Sequence, residues 1–173
     1  MIKKLGFLTI LASVIIALPN VAFCQSIDHK ATADQCLKEG RPTQAIVEYN
    51  EALLTDPSST AVYFDLAIAY YSLRNTEKAE FALTKVVELD PNDIEALYNL
   101  ACIKLYRRDI KAATLHFQEA KRRCAVTSEF APLIQNGLDF IENLKNFDPQ
   151  SQNALFLLLL QALPAQGLNR ATI

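Results

Sequence analysis

Histidine and cysteine are the residue types here that most readily ligate metals or act as nucleophiles. The chain of 173 residues has two His and four Cys. Neither His29 nor His116 has a Cys, Asp or His three or four residues away, the spacing that a metal site on a helix needs. No C-x-x-C pair occurs, so neither a thioredoxin-like redox site nor a zinc ribbon is predicted. We expect no metal.

Motifs for covalent or phosphate chemistry are equally scarce. The sequence has no G-x-S-x-G turn and no glycine-rich phosphate loop, with four Gly in all. Glu48, Glu51, Glu77 and Glu88 are predicted on outward helix faces, where carboxylates are usually solvated. The sequence therefore predicts no catalytic residue and no cofactor.

The amino terminus has the pattern of an export signal. Two lysines precede an apolar run over 5–18, and Pro19 follows it. This order is typical of a secretory signal peptide, here 1–24, and the run is short for a membrane span. Cleavage is predicted after Cys24, with Ala22 as the small residue at −3. The expected location is periplasmic or secreted.

Cys24 also supports an alternative, since Val21 and Ala22 resemble the start of a lipobox. Cys24 would then be the acylated first residue of a bacterial lipoprotein. Phe23 argues against this, because the residue before a lipidated Cys is normally Gly, Ala or Ser. An uncleaved anchor is a third interpretation. Membrane contact is thus expected only through the signal peptide or a lipid anchor at Cys24.

Beyond the signal peptide the chain is mildly acidic. The sequence has 17 basic and 19 acidic residues, and two of the basic ones lie in the signal peptide, which leaves 15 against 19. This balance does not suit a nucleic-acid backbone, so no nucleic-acid partner is expected. Cys36, Cys102 and Cys124 remain at wide spacings, and no intramolecular disulfide is predicted.

One pattern recurs with a period of 34 residues. "AIVEYNEALLTDP" (45–57), "AEFALTKVVELDP" (79–91) and "ATLHFQEAKRRCA" (113–125) begin with Ala, followed by an aromatic residue or Leu four positions on. Small residues are needed where two helices cross closely, because a bulky side chain would overpack the contact. We predict three such crossings, at Ala33/Ala45, Ala67/Ala79 and Ala101/Ala113.

In a register that begins at 26, 60 and 94, this pattern resembles the tetratricopeptide repeat. The second unit matches it best, with Tyr63, Leu66, Ala67 and Tyr70 in its first helix. The resemblance implies an all-α fold, a right-handed superhelical array of three helix-turn-helix repeats with C-terminal capping helices. Together with the export signal, it predicts an exported bacterial protein of this family. The units over 26–125 are 26–59, 60–93 and 94–127, with predicted helices at 61–73, 77–89, 95–106 and 111–123.

The repeats are predicted to end at three. A fourth unit would place Gln135 and Phe147 where the small pair belongs. Residues 128–147 are predicted to form a capping helix. The segment 151–163 is apolar nearly all round and too short to span a bilayer, so we expect it to be buried in the array or against a partner. Residues 164–173 are expected to form a loose tail.

The resemblance also implies a concave groove lined by the first helix of each unit. An exposed apolar surface of this kind usually marks a binding site. Packing of the same side chains on neighbouring helices or on the C-terminal segment is the alternative. The predicted partner-binding groove residues are Phe64, Ile68, Tyr71, Tyr98, Cys102 and Leu105, with Lys30, Asp34 and Leu37 at the polar end.

Some tetratricopeptide domains hold a carboxylate terminus with paired Lys, Asn and Arg side chains. Asn99 occupies an Asn position of that motif, but Glu95 and Ala61 stand where a base is needed, and Asp34 replaces another Asn. A carboxylate clamp is therefore not predicted.

The function implied by the resemblance is a non-enzymatic protein–protein interaction module, an adaptor or scaffold in the bacterial envelope that binds a peptide or helix. A chaperone for a secreted or envelope protein is the first alternative. Small cytoplasmic secretion chaperones have similar length and repeat number, and the export signal distinguishes the two. An envelope enzyme with an unrecognised site is the second alternative.

The processing of the amino terminus can be measured directly. We expect the exported chain to begin at Gln25, because Ala22 and Cys24 satisfy the small-residue positions before a cleavage site. Intact-mass analysis of the envelope fraction tests this. A chain that starts at Cys24 and carries added acyl mass would establish the lipoprotein alternative instead.

Overall fold

The computed structural model describes residues 28–147, 150–154 and 157. Within this part the chain forms α-helices and no strand, which confirms the all-α prediction. The predicted signal peptide, the tail 164–173 and most of the apolar segment 151–163 lie outside the described residues. The helices are α1 (His29–Lys38), α2 (Pro42–Thr55), α3 (Thr60–Ser72), α4 (Thr76–Leu89), α5 (Ile94–Tyr106), α6 (Ile110–Arg123) and α7 (Phe130–Leu144), and residues 150–154 are also helical.

The helices pack in chain order as three pairs, α1–α2, α3–α4 and α5–α6, followed by α7. The second helix of each pair also packs on the first helix that follows it, so contacts are mainly between neighbours. Two first helices also contact the helix two elements on, α1 with α3 and α5 with α7. The tetratricopeptide resemblance assigns the first helices to the concave side of a right-handed superhelix and the second helices to its convex side. No helix in the described ranges combines the length and apolar character needed to cross a bilayer.

Side-chain caps fix where four of the helices begin. Asp28, Asn75, Asp93 and Asp109 each accept a hydrogen bond from the backbone N–H three residues on, at 2.8 to 3.1 Å. Each bond satisfies a donor that the first turn of a helix leaves unpaired, and its loss costs about 1 kcal/mol. These four polar side chains therefore set the register of α1, α4, α5 and α6.

The turn after each first helix contains one residue in the left-handed region. Gly40, Arg74 and Arg108 have φ values of 71°, 60° and 62° and are spaced by the 34-residue period. In each turn the next N–H donates to the carbonyl five positions earlier, at 2.8 to 3.0 Å, which is the Schellman arrangement. Glycine adopts this conformation without steric cost, whereas Arg74 and Arg108 lose roughly 1–2 kcal/mol each.

The predicted small-residue crossings are found inside the three pairs. The two members of each pair lie in one buried cluster. A large side chain follows the second Ala by four residues in every unit, and Tyr49, Leu83 and Phe117 are all buried there. The close approach of the two backbones and the large side chains beside it together fill the space between the two helices of each pair. The six alanines, Ala33, Ala45, Ala67, Ala79, Ala101 and Ala113, are each 0% exposed.

Ion pairs join successive units where the apolar contacts end. Glu80 of α4 accepts hydrogen bonds from Lys104 Nζ at 2.7 Å and from Arg107 Nη1 at 2.6 Å, both in the next unit. Lys30 Nζ of α1 lies 3.1 Å from Asp65 Oδ2 of α3. These partly buried pairs favour one relative position of neighbouring units.

The helix α7 closes the array through a glycine that the repeat pattern did not indicate. A Cβ atom on Gly137 would lie 2.6 Å from Cζ and 2.8 Å from Cε1 of Phe117, far inside van der Waals contact. Phe117 is itself buried in the third pair. Gly137 thus allows α7 to approach α6 closely, in the manner that paired alanines allow within each unit.

Gly137→Ala should destabilise the protein even though Ala favours helices. The helical preference contributes about 1 kcal/mol, but displacing the enclosed Phe117 ring costs roughly 1–3 kcal/mol. We expect a net loss in the free energy of unfolding, measured by urea denaturation. Asn136→Ala, on the exposed side of α7, is the matched control and should be slightly stabilising. Equal stabilisation by both changes would contradict the close approach.

Candidate functional site

Two first helices carry matching strips of side chains that are not enclosed between helices. Most of these residues are partly exposed. The spacing i, i+4, i+7, i+11 places the members of each strip on one side of its helix. We assign this side to the concave groove that the tetratricopeptide resemblance implies. The strips consist of Ala61, Asp65, Ile68 and Ser72 on α3, and of Glu95, Asn99, Cys102 and Tyr106 on α5.

Two of the predicted groove residues belong to the core. Phe64 is 0% exposed and lies in one cluster with Ala96 and Leu100 of α5, and Leu105 is 2% exposed in the cluster that includes Leu144 of α7. Their expected exposure to a partner is corrected by this burial. The reason is geometric: each lies roughly 70–90° around its helix from the middle of the open strip, on the side that packs against the next first helix or α7.

Tyr98 and Cys102 of α5 adjoin the end of the array. The Tyr98 ring centroid is 5.9 Å from that of Phe117 and 5.8 Å from that of Phe130 in α7. Burial raises the pKa of the Tyr98 hydroxyl. Burial also raises the pKa of the Cys102 thiol to about 12, which the neighbouring Tyr98 only partly offsets, so this thiol stays protonated at neutral pH.

Ile68 and Tyr71 of α3 are partly exposed and pack against the central cluster. Burial raises the pKa of the Tyr71 hydroxyl, and the nearby Tyr106 and Cys102 raise it further. Tyr71 of the second unit therefore lies close to Cys102 and Tyr106 of the third unit. They form the aromatic and aliphatic part of the groove, and a contact with a partner stays a prediction for them.

A charged network occupies the first-unit end of the groove. Lys30 Nζ donates to Asp34 Oδ2 at 2.7 Å and pairs with Asp65, while the Tyr49 hydroxyl donates to Asp34 Oδ1 at 2.8 Å. Burial alone would lower the pKa of Lys30, but the bonds to both carboxylates outweigh it and raise that pKa. The network positions two carboxylates beside one another, and the Lys30 ammonium group pairs with both.

Asp65 was not among the predicted groove residues, and Asn99 was considered only as a member of the rejected carboxylate clamp. Both occupy the sixth position of their units, and both are deeply placed: the Asp65 side chain is 13% exposed and Asn99 is 7% exposed. Polar residues at the same repeat position in two consecutive first helices were the available signal. The predicted groove register places the adjacent fifth position in the groove, which selects Phe64 in place of Asp65.

The described residues offer little to metal or redox chemistry. No cluster of three or more His, Cys, Asp or Glu side chains suited to a metal occurs among them. His29 Nδ1 lies 2.8 Å from Glu48 Oε2, a contact within the first unit. Burial and the nearby Lys104 lower the pKa of His116. Cys36, Cys102 and Cys124 are free thiols.

The convex side has its own exposed apolar residues. Val47, Phe81 and Leu115 stand at one repeat position in α2, α4 and α6 and are 56%, 63% and 59% exposed. An open cleft of about 760 Å³ lies beside Phe81, between α2, α3 and α4, with Leu54 on its wall. These residues provide matched controls for any test of the groove.

The different burial of two aromatic residues on α3 leads to opposite expectations. Phe64→Ala should lower the free energy of unfolding by about 3–5 kcal/mol, because it leaves a cavity in the central cluster. Tyr71→Ala should cost about 1 kcal/mol, since its ring is partly exposed. Urea denaturation followed by circular dichroism measures both. Equal losses would show that Phe64 is not enclosed as described.

Comparison with known proteins agrees with this architecture. A family model described as tetratricopeptide repeat matches residues 37–102. Sperm-associated antigen 1 of Rattus norvegicus is 30% identical over 71 residues, which are 41% of this chain and 8% of that protein. The match thus spans a small part of that relative's length.

Two solved structures have a similar arrangement of helices. The first tetratricopeptide domain of Spaghetti (RPAP3), bound to an HSP90 peptide, superimposes with a TM-score of 0.60 at 18% identity, over 69% of this chain and 94% of that one. The Yersinia enterocolitica type III secretion chaperone SycD, in complex with a peptide of the translocator YopD, gives 0.63 at 15% identity, over 68% and 92%. The fold of this chain is thus a tetratricopeptide-repeat array, and the family model places that repeat over residues 37–102.

Proposed function

We propose that this chain is a non-enzymatic protein-interaction module that binds an extended or helical peptide segment along its concave side. The observation that carries the proposal is the pair of matching strips on α3 and α5. Ile68, Cys102 and Tyr106 remain partly exposed there, although the nearby Phe64 and Leu105 are buried. Partly exposed apolar side chains on a concave surface are suited to anchoring a partner.

Rigid packing of the strips favours binding energetically. The strip residues stand on helices held by the 0% exposed alanine crossings and by the ion pairs of Glu80. A preformed surface loses little conformational entropy on binding, so more of the contact energy contributes to affinity. The same surface accepts a helix through residues spaced by three and four, or an extended segment through alternate residues.

Peptide binding by structural neighbours supports the same function. The Spaghetti domain and SycD were each solved with a bound peptide, one from HSP90 and one from YopD. Both share the fold with this chain at low identity, so the nature of the ligand is not transferred. The role of SycD as a secretion chaperone makes chaperoning of a secreted protein the second candidate function.

The bacterial envelope is the proposed place of action. The basis is the amino-terminal pattern of two lysines, the apolar run over 5–18 and Pro19, which is typical of an export signal. In that setting the module is an adaptor or scaffold. Cytoplasmic retention of the full chain would favour the chaperone function instead.

The groove is tested by selection from a displayed random-peptide library, followed by affinity measurement on variants. The double change Ile68→Ala with Tyr71→Ala should weaken the selected peptides at least about tenfold, because it removes apolar anchors from the groove. The helical content should be retained.

The control removes the same kind of contact from the convex side. Phe81→Ala with Leu115→Ala deletes two exposed apolar side chains from second helices and should leave affinity unchanged. If the control pair abolishes binding and the groove pair does not, the binding surface is convex and the proposal is wrong.

A further inference from the structure

We propose that the apolar segment 155–163 of this chain packs on α7, so that the last helix of the array is covered by the protein itself and not by a partner. This inference goes beyond the proposed function, because peptide binding in the groove takes no part in it. It is carried by the contacts that hold residues 150–154, by the exposed side of that helix and by a row of apolar side chains on α7.

The helix that begins at residue 150 starts beside the end of α7. Gln152 Nε2 donates hydrogen bonds to the backbone carbonyls of Leu144 at 2.9 Å and of Phe147 at 2.8 Å. Arg108 Nη1, in the turn between α5 and α6, donates to Asn153 Oδ1 at 2.7 Å. Two separate parts of the array thus hold the first turn of this helix.

Exposure determines which side of this helix faces α7. Gln150, Ala154 and Leu157 share one side of the helix and are exposed, Leu157 by 57%. Gln152, whose side chain meets the end of α7, stands on the other side and is only partly exposed. Helical spacings of three, four, seven and eleven continue that side. The residues at these spacings are Leu155, Phe156, Leu159 and Leu163.

A row of apolar side chains on α7 is suited to receive them. Leu133 and Phe140 are seven residues apart, on one side of α7, and both are partly exposed. Phe147 follows at the same spacing just past the end of the helix and is 45% exposed. The contacts of α7 with α5 and α6 bury other side chains, such as Ile134 and Ile141. Those contacts therefore leave part of this row accessible.

Length and composition favour a return of the segment along α7. A helix over 150–163 is about 20 Å long, close to the length of the 15-residue α7. A helix that left the array would instead expose the four consecutive Leu of 157–160 to water. Its outward side would carry the polar residues Gln150, Asn153 and Gln161, as the terminal element of a stacked array requires.

The experiment uses a tryptophan reporter in the exported chain, which has no Trp of its own. Phe156→Trp places the reporter on the side that faces α7, and Leu157→Trp places it on the exposed side, one residue away. Acrylamide quenching of fluorescence measures access to each reporter. We expect quenching to be several-fold weaker for Phe156→Trp, with emission at shorter wavelength. This comparison leaves α7 unchanged, so it decides the proposal even where a substitution in α7 impairs folding.

Further changes locate the covering surface. Leu133→Ser with Phe147→Ser, added to Phe156→Trp, should raise the quenching to that of the exposed reporter, because the apolar row on α7 is lost. Leu115→Ser with Val126→Ser removes apolar side chains that are 59% and 94% exposed elsewhere and should leave the quenching unchanged. Circular dichroism verifies that both proteins are folded.

Each other outcome would overturn the proposal. Equally strong quenching of both reporters would leave the segment uncovered and available to a partner. Protection that is lost on dilution, together with a fall in molar mass by light scattering, would identify a second copy as the occupant. Protection that survives the change in α7 would place the segment on another surface. Peptide affinity is measured separately, so a failure of this proposal is distinguishable from a failure of the proposed function.

Discussion

The close crossing of two helices at a pair of alanines is the contact on which the array depends. The small alanine side chains allow the two backbones to approach closely, and the large residue four positions later fills the space beside them. Replacing either Ala by a bulky residue would separate the helices and displace that filling residue. Because each second helix also packs on the next first helix, this displacement would extend to the neighbouring unit.

The groove is a consequence of this packing. The sides of α3 and α5 that meet their partners are fully buried, and the side left over becomes the concave surface. Its residues are therefore fixed in position without being enclosed. A carboxylate is tolerated at Asp65 because Lys30 of α1 pairs with it, whereas the enclosed positions of Phe64 and Leu105 hold apolar residues.

Much of the fold could be predicted from the sequence, because its 34-residue period repeats both the small pairs and the turns. The groove was predicted less well. Spacing identifies residues that share a helix face, but it does not determine the rotation of that face about the helix axis. For that reason Phe64 and Leu105 were predicted to line the groove, whereas they lie in the core. Gly137 was missed for a different reason. It follows the last repeat, so no equivalent position marked it as a contact.

The left-handed residue after each first helix has a consequence for the independence of the units. The conformation recurs at Gly40, Arg74 and Arg108, although only the first is glycine. In the second and third units the local chain disfavours the turn, so the packed helices on either side must impose it. Neither helix pair should then hold its hairpin in isolation. The second and third units are expected to fold and unfold together, as one cooperative block, rather than one hairpin at a time.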